Sequence, residues 1–235
     1  LENFVQKGVK PANPKQLNQI WSALGAQDRG IRHAARVALE KQPVKNWKNK
    51  LSSEKNTVVA SAAMIALARA DGKSSGVVLS KAMTLDYANE KNWQQRIDLL
   101  RSITLALTRG GQPQPEQKKK LIEWLDKIYP AATPEETRDL SALMQFLQAP
   151  SVAKQGMALL RSASGQEEQM GYALNLRHLK TGWTSMLRES YFKWFIRAGS
   201  FNGGARLSND PDGIKKDAIA SVEDWQMTEG LKKII

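Results

Sequence analysis

The chemistry open to this chain is bounded first by what it lacks. Among its 235 residues there is no cysteine and there are only two histidines. Disulfides, thiolate nucleophiles, cysteine zinc sites and covalent c-type haem attachment are therefore excluded from these residues. His33 is placed opposite the apolar stripe of its helix and is expected to be exposed. His178 stands between Arg177 and Lys180 near a helix end, where a cation complements the helix dipole. A two-histidine metal site would need both rings and a carboxylate to converge, and no local spacing provides that. No nucleophile elbow accompanies any serine.

The carboxylate pairs Glu135/Glu136 and Glu167/Glu168 are the remaining acid–base candidates. Each pair lies in the first turn of a predicted helix, where capping and the macrodipole account for it. Glycosidase-like work would need two carboxylates across one cleft. Gly203-Gly204, within Ser200 to Arg206, could cradle a phosphate ahead of a helix, but no Lys-Ser/Thr follows, and a plain turn is expected. No catalytic, cofactor-binding or metal-ligating residue is nominated, and no cofactor is expected.

The elements that would have to position such residues are all helical. Apolar residues recur at helical spacing from end to end, and no strand alternation competes. Helices are predicted over Pro14–Leu24, Asp28–Lys41, a short segment through Val44, Trp47 and Leu51, Thr57–Ala70, Ser74–Leu85 and Asn92–Thr108. In the second half they follow over Gln117–Ile128, Thr133–Gln148, Val152–Ser162, Ser164 to about Lys180, Thr184–Ala198 and Ile214–Ser221. Asp28 is read as an N-cap, and both Thr133-Pro134-Glu135-Glu136 and Ser164-Gly165-Gln166-Glu167 as capping boxes. Gly110-Gly111-Gln112-Pro113 is the clearest break. One domain over 1–235 is expected, with any subdivision at 110–113.

Roughly eleven helices joined by short turns make an antiparallel stack. The segment Leu24 to Leu39 has the pattern of a HEAT-type repeat: a small turn, an acidic cap, Ile31-Arg32, the Ala34-Ala35 pair and Leu39. Thr57–Ala70 echoes it through Val58, Ala62, Ala63 and Leu67. The fold class expected is all-α, a HEAT-like α-α superhelix, that is, a right-handed stack of antiparallel helical hairpins. In the first repeat Ile31, Ala35 and Ala38 are expected to be buried, and Arg32 to reach carbonyls or carboxylates of an adjacent turn. Trp21, Trp47, Trp93, Trp124 and Trp194 occupy apolar helical positions and read as core. Tyr191, Trp194 and Phe195 read as an inter-repeat wedge on the stripe of Leu187. Phe192 is expected to point elsewhere, available to another domain.

The formal charge is +12, from 35 Lys and Arg against 23 Asp and Glu. That balance favours acidic partners in general. The basic residues are scattered, so a nucleic-acid site is not the expected use. The alternative is a basic HEAT-like nucleic-acid-binding protein or DNA glycosylase, a class with this fold and charge whose motifs are not matched here. No run is long and apolar enough for a membrane span. The chain begins Leu1-Glu2-Asn3 without Met and reads as a piece or processed product of a longer one.

Several stretches taken together carry a resemblance. They are Ile31 to Val44, Gln145-Phe146-Leu147-Gln148-Ala149-Pro150, Gln166-Glu167-Glu168-Gln169 with Tyr172-Ala173-Leu174, Thr181-Gly182-Trp183-Thr184, Tyr191-Phe192-Lys193-Trp194-Phe195 and Gly203-Gly204. In this order they resemble the helical region of the large multidomain haem-binding, membrane-bound-dehydrogenase-like proteins of planctomycetes and their relatives. The resemblance implies an exported, periplasmic protein. It implies a non-catalytic spacer or interaction module between a sugar-dehydrogenase-like β-propeller and a c-type cytochrome domain. The partners implied are those flanking domains or another protein. The chain has no Cys-x-x-Cys-His, so haem binding carries over to no position in it.

Overall fold

The computed structural model describes residues 11–201 and 205–235, with backbone alone for 205–210. Gly203 and Gly204 lie outside the described residues. Those described form thirteen α-helices and no strand, so the chain is all-α. It divides into two compact units, residues 1–124 and 125–235. The division falls inside a helix, while Gly110 and Gly111 end an earlier one within the first unit.

The first unit holds α1 (Pro14–Ala23), α2 (Arg29–Glu40), α3 (Lys48–Ser53), α4 (Thr57–Ala70), α5 (Ser75–Ala82), α6 (Trp93–Gly110) and most of α7 (Pro115–Asp126). Polar side chains start four of these helices by accepting orphan backbone N–H groups. Asn13 caps α1 and forms a capping box with Gln16. Asp28 accepts from the Ile31 amide at 2.9 Å. Asn56 accepts from Val58 and Val59, and Asn92 from Gln94. Helix α4 is apolar nearly all round, because α2, α5 and α6 all pack on it.

Helices α2, α4 and α6 lie side by side in chain order, with α1 against α2, α3 against α4, and α5 against α4 and α6. Glu40 at the end of α2 pairs with Arg69 at the end of α4. Arg109 at the end of α6 donates to the Arg69 carbonyl. The three helices therefore run in one direction. Ala35 and Ala38 have no exposed surface, and small side chains there let the neighbouring helices come close.

Within α2 the expected burial and contacts hold at most positions. Arg32 donates to the carbonyls of Ala26 and Gln27 at 2.7 and 2.6 Å. His33 is exposed. Ile31 is a correction: it remains 46% exposed. A helical wheel gives a side chain's angle but not whether a neighbour reaches far enough along the axis to cover it, and Ile31 sits in the first turn. Trp93 fails in the same way, as the first residue of α6 and 60% exposed. Thr104 is exposed too, its hydroxyl turned back to the Leu100 carbonyl. Trp21 and Trp47 are core residues, and Trp124 is half-buried edge-on to Tyr87.

The second unit holds α8 (Pro134–Phe146), α9 (Ser151–Ser162), α10 (Gln166–Leu176), α11 (Ser185–Ala198), α12 (Ala205–Ala220) and α13 (Glu229–Lys232). Helix α10 packs on α8, α9 and α12; α9 packs on α8 and α11; α11 packs on α12 and α13. Helix α12 begins well before the predicted Ile214. The Asn-Asp-Pro-Asp-Gly run at 209–213 is inside it.

Candidate functional site

The motif stretches of the second unit are used by its interior. After α8 the chain turns at Gln148, a non-glycine residue with φ of 55°. The Gln148 amide donates to the His178 carbonyl and accepts from the Lys180 N–H, at 3.0 and 2.8 Å. Thr181 donates its hydroxyl to the Gln148 carbonyl at 2.7 Å. Gly182 has φ of 74° and lies so near that a Cβ there would fall 1.8 Å from the Pro150 carbonyl oxygen. Two separate motif stretches, 145–150 and 181–184, are thus two turns docked on each other.

The aromatic stretch completes this interior. Trp183 donates to the Leu179 carbonyl at 2.7 Å. The Arg188 guanidinium stacks 4.2 Å over its ring. Arg188 has no exposed surface. It donates to Gln226 Oε1, Ser221 Oγ and the carbonyls of Leu179 and Ser221, between 3.0 and 3.4 Å. Burial pushes its pKa down to about 10, which leaves it charged at neutral pH. Gln169 accepts from Trp194 Nε1 and Arg197, and donates to the Ala163 carbonyl. Tyr191 donates to the Ala173 carbonyl at 2.7 Å. Its phenol is pushed far up by burial.

Trp194 and Phe195 are buried as expected and Leu187 is half-buried. Phe192 is a correction: it has no exposed surface and packs between Tyr191 and Phe195. Three helices (α9, α12 and α13) pack on α11, so a residue off the main stripe is also interior. Arg188 escaped the sequence reading because an arginine in an aromatic-rich helix gives no sign that four acceptors and an indole face surround it.

The carboxylate pairs reach the surface of the same unit. The Thr133 cap forms, but reciprocally only through side chains: its hydroxyl accepts from the Glu136 amide and donates to the Glu136 carboxylate at 2.9 Å. Glu136 is buried there. The second capping box is not made. Gly165, not Ser164, is the N-cap of α10, and no side chain caps it. Glu135, Glu167 and Glu168 instead line one cleft of about 270 Å³ between α8 and α10, with Pro134, Arg138, Gly171 and Tyr172. Tyr172 donates to Glu168 at 3.1 Å. Burial, then the Glu168 carboxylate, pushes its pKa up to about 12, so it serves as a donor and not as a base.

A second depression of about 360 Å³ shares Gly171 with the first. Its walls are Met170, Leu174 and Arg177 of α10 and Gly213, Ile214 and Asp217 of α12. Arg177 Nε is 3.1 Å from Asp217 Oδ2, and His178 Nε2 is 3.7 Å from the same oxygen. Among the described residues, no three His, Asp or Glu side chains converge as metal ligands would. The arrangement can hold a cationic group by carboxylate acceptors and seat an apolar side chain beside it.

No family model, characterised protein or solved structure matches the chain. Among the described residues no helix is long and apolar enough to cross a membrane.

Proposed function

We propose that this chain is a non-catalytic scaffold and interaction module, built as a right-handed HEAT-like α-α superhelix. In this reading it belongs to a larger exported, periplasmic polypeptide, linking a β-propeller dehydrogenase-like domain to a c-type cytochrome domain. The observation that carries the reading is the stacking of α2, α4 and α6 in one direction, each packed against the helix that precedes it in the chain. Stacks of this kind bury a continuous core between repeats and leave extended surface for partners. The use of the motif residues supports it as well. Gln148, Gln169, Gly182, Trp183 and Arg188 are engaged in packing and hydrogen bonds within their own unit.

The test is replacement of this segment, in the intact polypeptide, by a Gly/Ser linker of equal reach. The scaffold reading expects the flanking domains to lose their fixed placement, read as loss of cross-links between them. Unchanged cross-links would refute it. The formal charge of +12 favours one other reading, a basic nucleic-acid-binding protein or DNA glycosylase. Electrostatic binding would weaken steeply with salt. A gel shift showing no duplex binding at low salt removes it.

A further inference from the structure

The two depressions over α8, α10 and α12 share Gly171, a glycine that the packing of the fold does not require. Glycine inside a helix is destabilising relative to alanine. Two other helical glycines have a packing reason. A Cβ on Gly156 would meet Leu176 at 3.0 Å, and one on Gly110 would overlap Ser75 at 2.2 Å. A Cβ on Gly171 would meet only Arg138 Cδ at 3.8 Å, an ordinary contact, and one on Gly213 would meet nothing within 4 Å. Gly213 lies inside α12 two residues after Pro211. Gly171 is the residue that lines both depressions. Glycine at such a place lets an occupant approach the helix backbone closely.

The chemistry of the walls defines the occupant. At the α8–α10 end three carboxylates, Glu135, Glu167 and Glu168, stand against one guanidinium, Arg138. Neither Glu135 nor Glu167 is drawn into a cap, and both are exposed. At the α10–α12 end Leu174 is 43% exposed, Met170 and Ile214 are buried, and the charges of Arg177 and Asp217 answer each other. This is an acidic cleft with an exposed leucine beside it, on a chain whose formal charge is +12. Long-range electrostatics on such a chain repel cations, so a cationic ligand held here is held by the local carboxylates.

We propose that this groove docks a lysine- or arginine-bearing segment of a partner polypeptide, its cation among Glu135, Glu167 and Glu168 and an apolar side chain over Leu174, with its backbone passing Gly171. The proposal rests on the scaffold reading and gives it a surface and a partner chemistry.

The test uses the full chain and two fluorescein-labelled peptides of equal length, one alternating Lys and Leu, the other Glu and Leu, followed by anisotropy. The Lys/Leu peptide is expected to bind and the Glu/Leu peptide not to, the reverse of what the overall charge favours. Gly171→Leu fills the groove and is expected to weaken binding at least about tenfold, and the double variant E135K/E167K to abolish it. Gly171→Ala supplies the folding control: its melting temperature is expected to rise by about 1–4 °C. Stronger binding of the Glu/Leu peptide would overturn the proposal, as would unchanged Lys/Leu binding in folded Gly171→Leu. So would a duplex DNA that competes with the peptide for the groove. Any of these results removes the groove while the linker-replacement experiment decides the scaffold reading separately.

Discussion

Gly182→Ala tests whether the two turns of the second unit are locked as described. The wild-type backbone there has φ of 74°, and an added Cβ would sit 1.8 Å from the Pro150 carbonyl oxygen and 2.6 Å from its carbon. Both atoms are backbone and cannot rotate away, so the turns must part. Holding an alanine at this φ costs about 1–2 kcal/mol. Parting the turns removes the three hydrogen bonds around Gln148 to His178, Lys180 and Thr181, each worth about 1 kcal/mol net. The lost bonds alone give about 3 kcal/mol, and with the strain about 4–5 kcal/mol. At roughly 2–4 °C per kcal/mol, the melting temperature should fall by about 6–20 °C. Circular dichroism melts with matched urea titrations read it. A Gly182→Ala protein within about 0.5 kcal/mol of wild type, an effect ordinary for a surface change, would refute the docked-turn geometry.

Other consequences can be checked with the same assays. Arg188→Leu leaves buried acceptors on Gln226 and Ser221 without their donor and should cost about 2–4 kcal/mol; Arg188→Lys should recover little of it, since an ammonium can neither span those acceptors nor stack flat on Trp183. A neutral Arg188→Leu would show that the guanidinium holds nothing together. At Glu54, burial alone would raise the pKa, but hydrogen bonds from Asn56, Trp21 and Lys55, with the charge of Lys81, outweigh it and set it below 4.5. Its contribution is therefore present above pH 4.5 and lost as pH falls through the lower folded value; Glu54→Gln should flatten that acid limb, and an unchanged limb would refute the assignment. In α2, Ala35→Leu should cost about 1–3 kcal/mol by overpacking and Asp28→Ala about 1 kcal/mol through the lost cap, while His33→Ala should be close to neutral. Thermal melts with the reverse order would turn α2 over.

The helices were legible because their signals are local. Asp28 and Thr133 cap where a side chain three residues ahead of an amide can reach it, and α4 is apolar all round because it is covered on several sides. What escaped depends on partners distant in sequence. Ile31 has the right angle but sits in the first turn, and Trp93 likewise opens its helix. Phe192 was placed by one stripe although three helices pack on α11. Arg188 draws on residues 33 and 38 positions away. The carboxylates were readable as pairs. Their gathering in one cleft was not, since it depends on how α8 lies against α10.

The central claim is that this chain works by holding other polypeptide in place. Cross-linking with mass spectrometry on the intact natural polypeptide tests it most directly, with the lysines of residues 1–235 as reporters. The account predicts reproducible cross-links from these lysines to residues outside 1–235, unchanged by dilution of the protein. Cross-links confined to 1–235 at every dilution would contradict it.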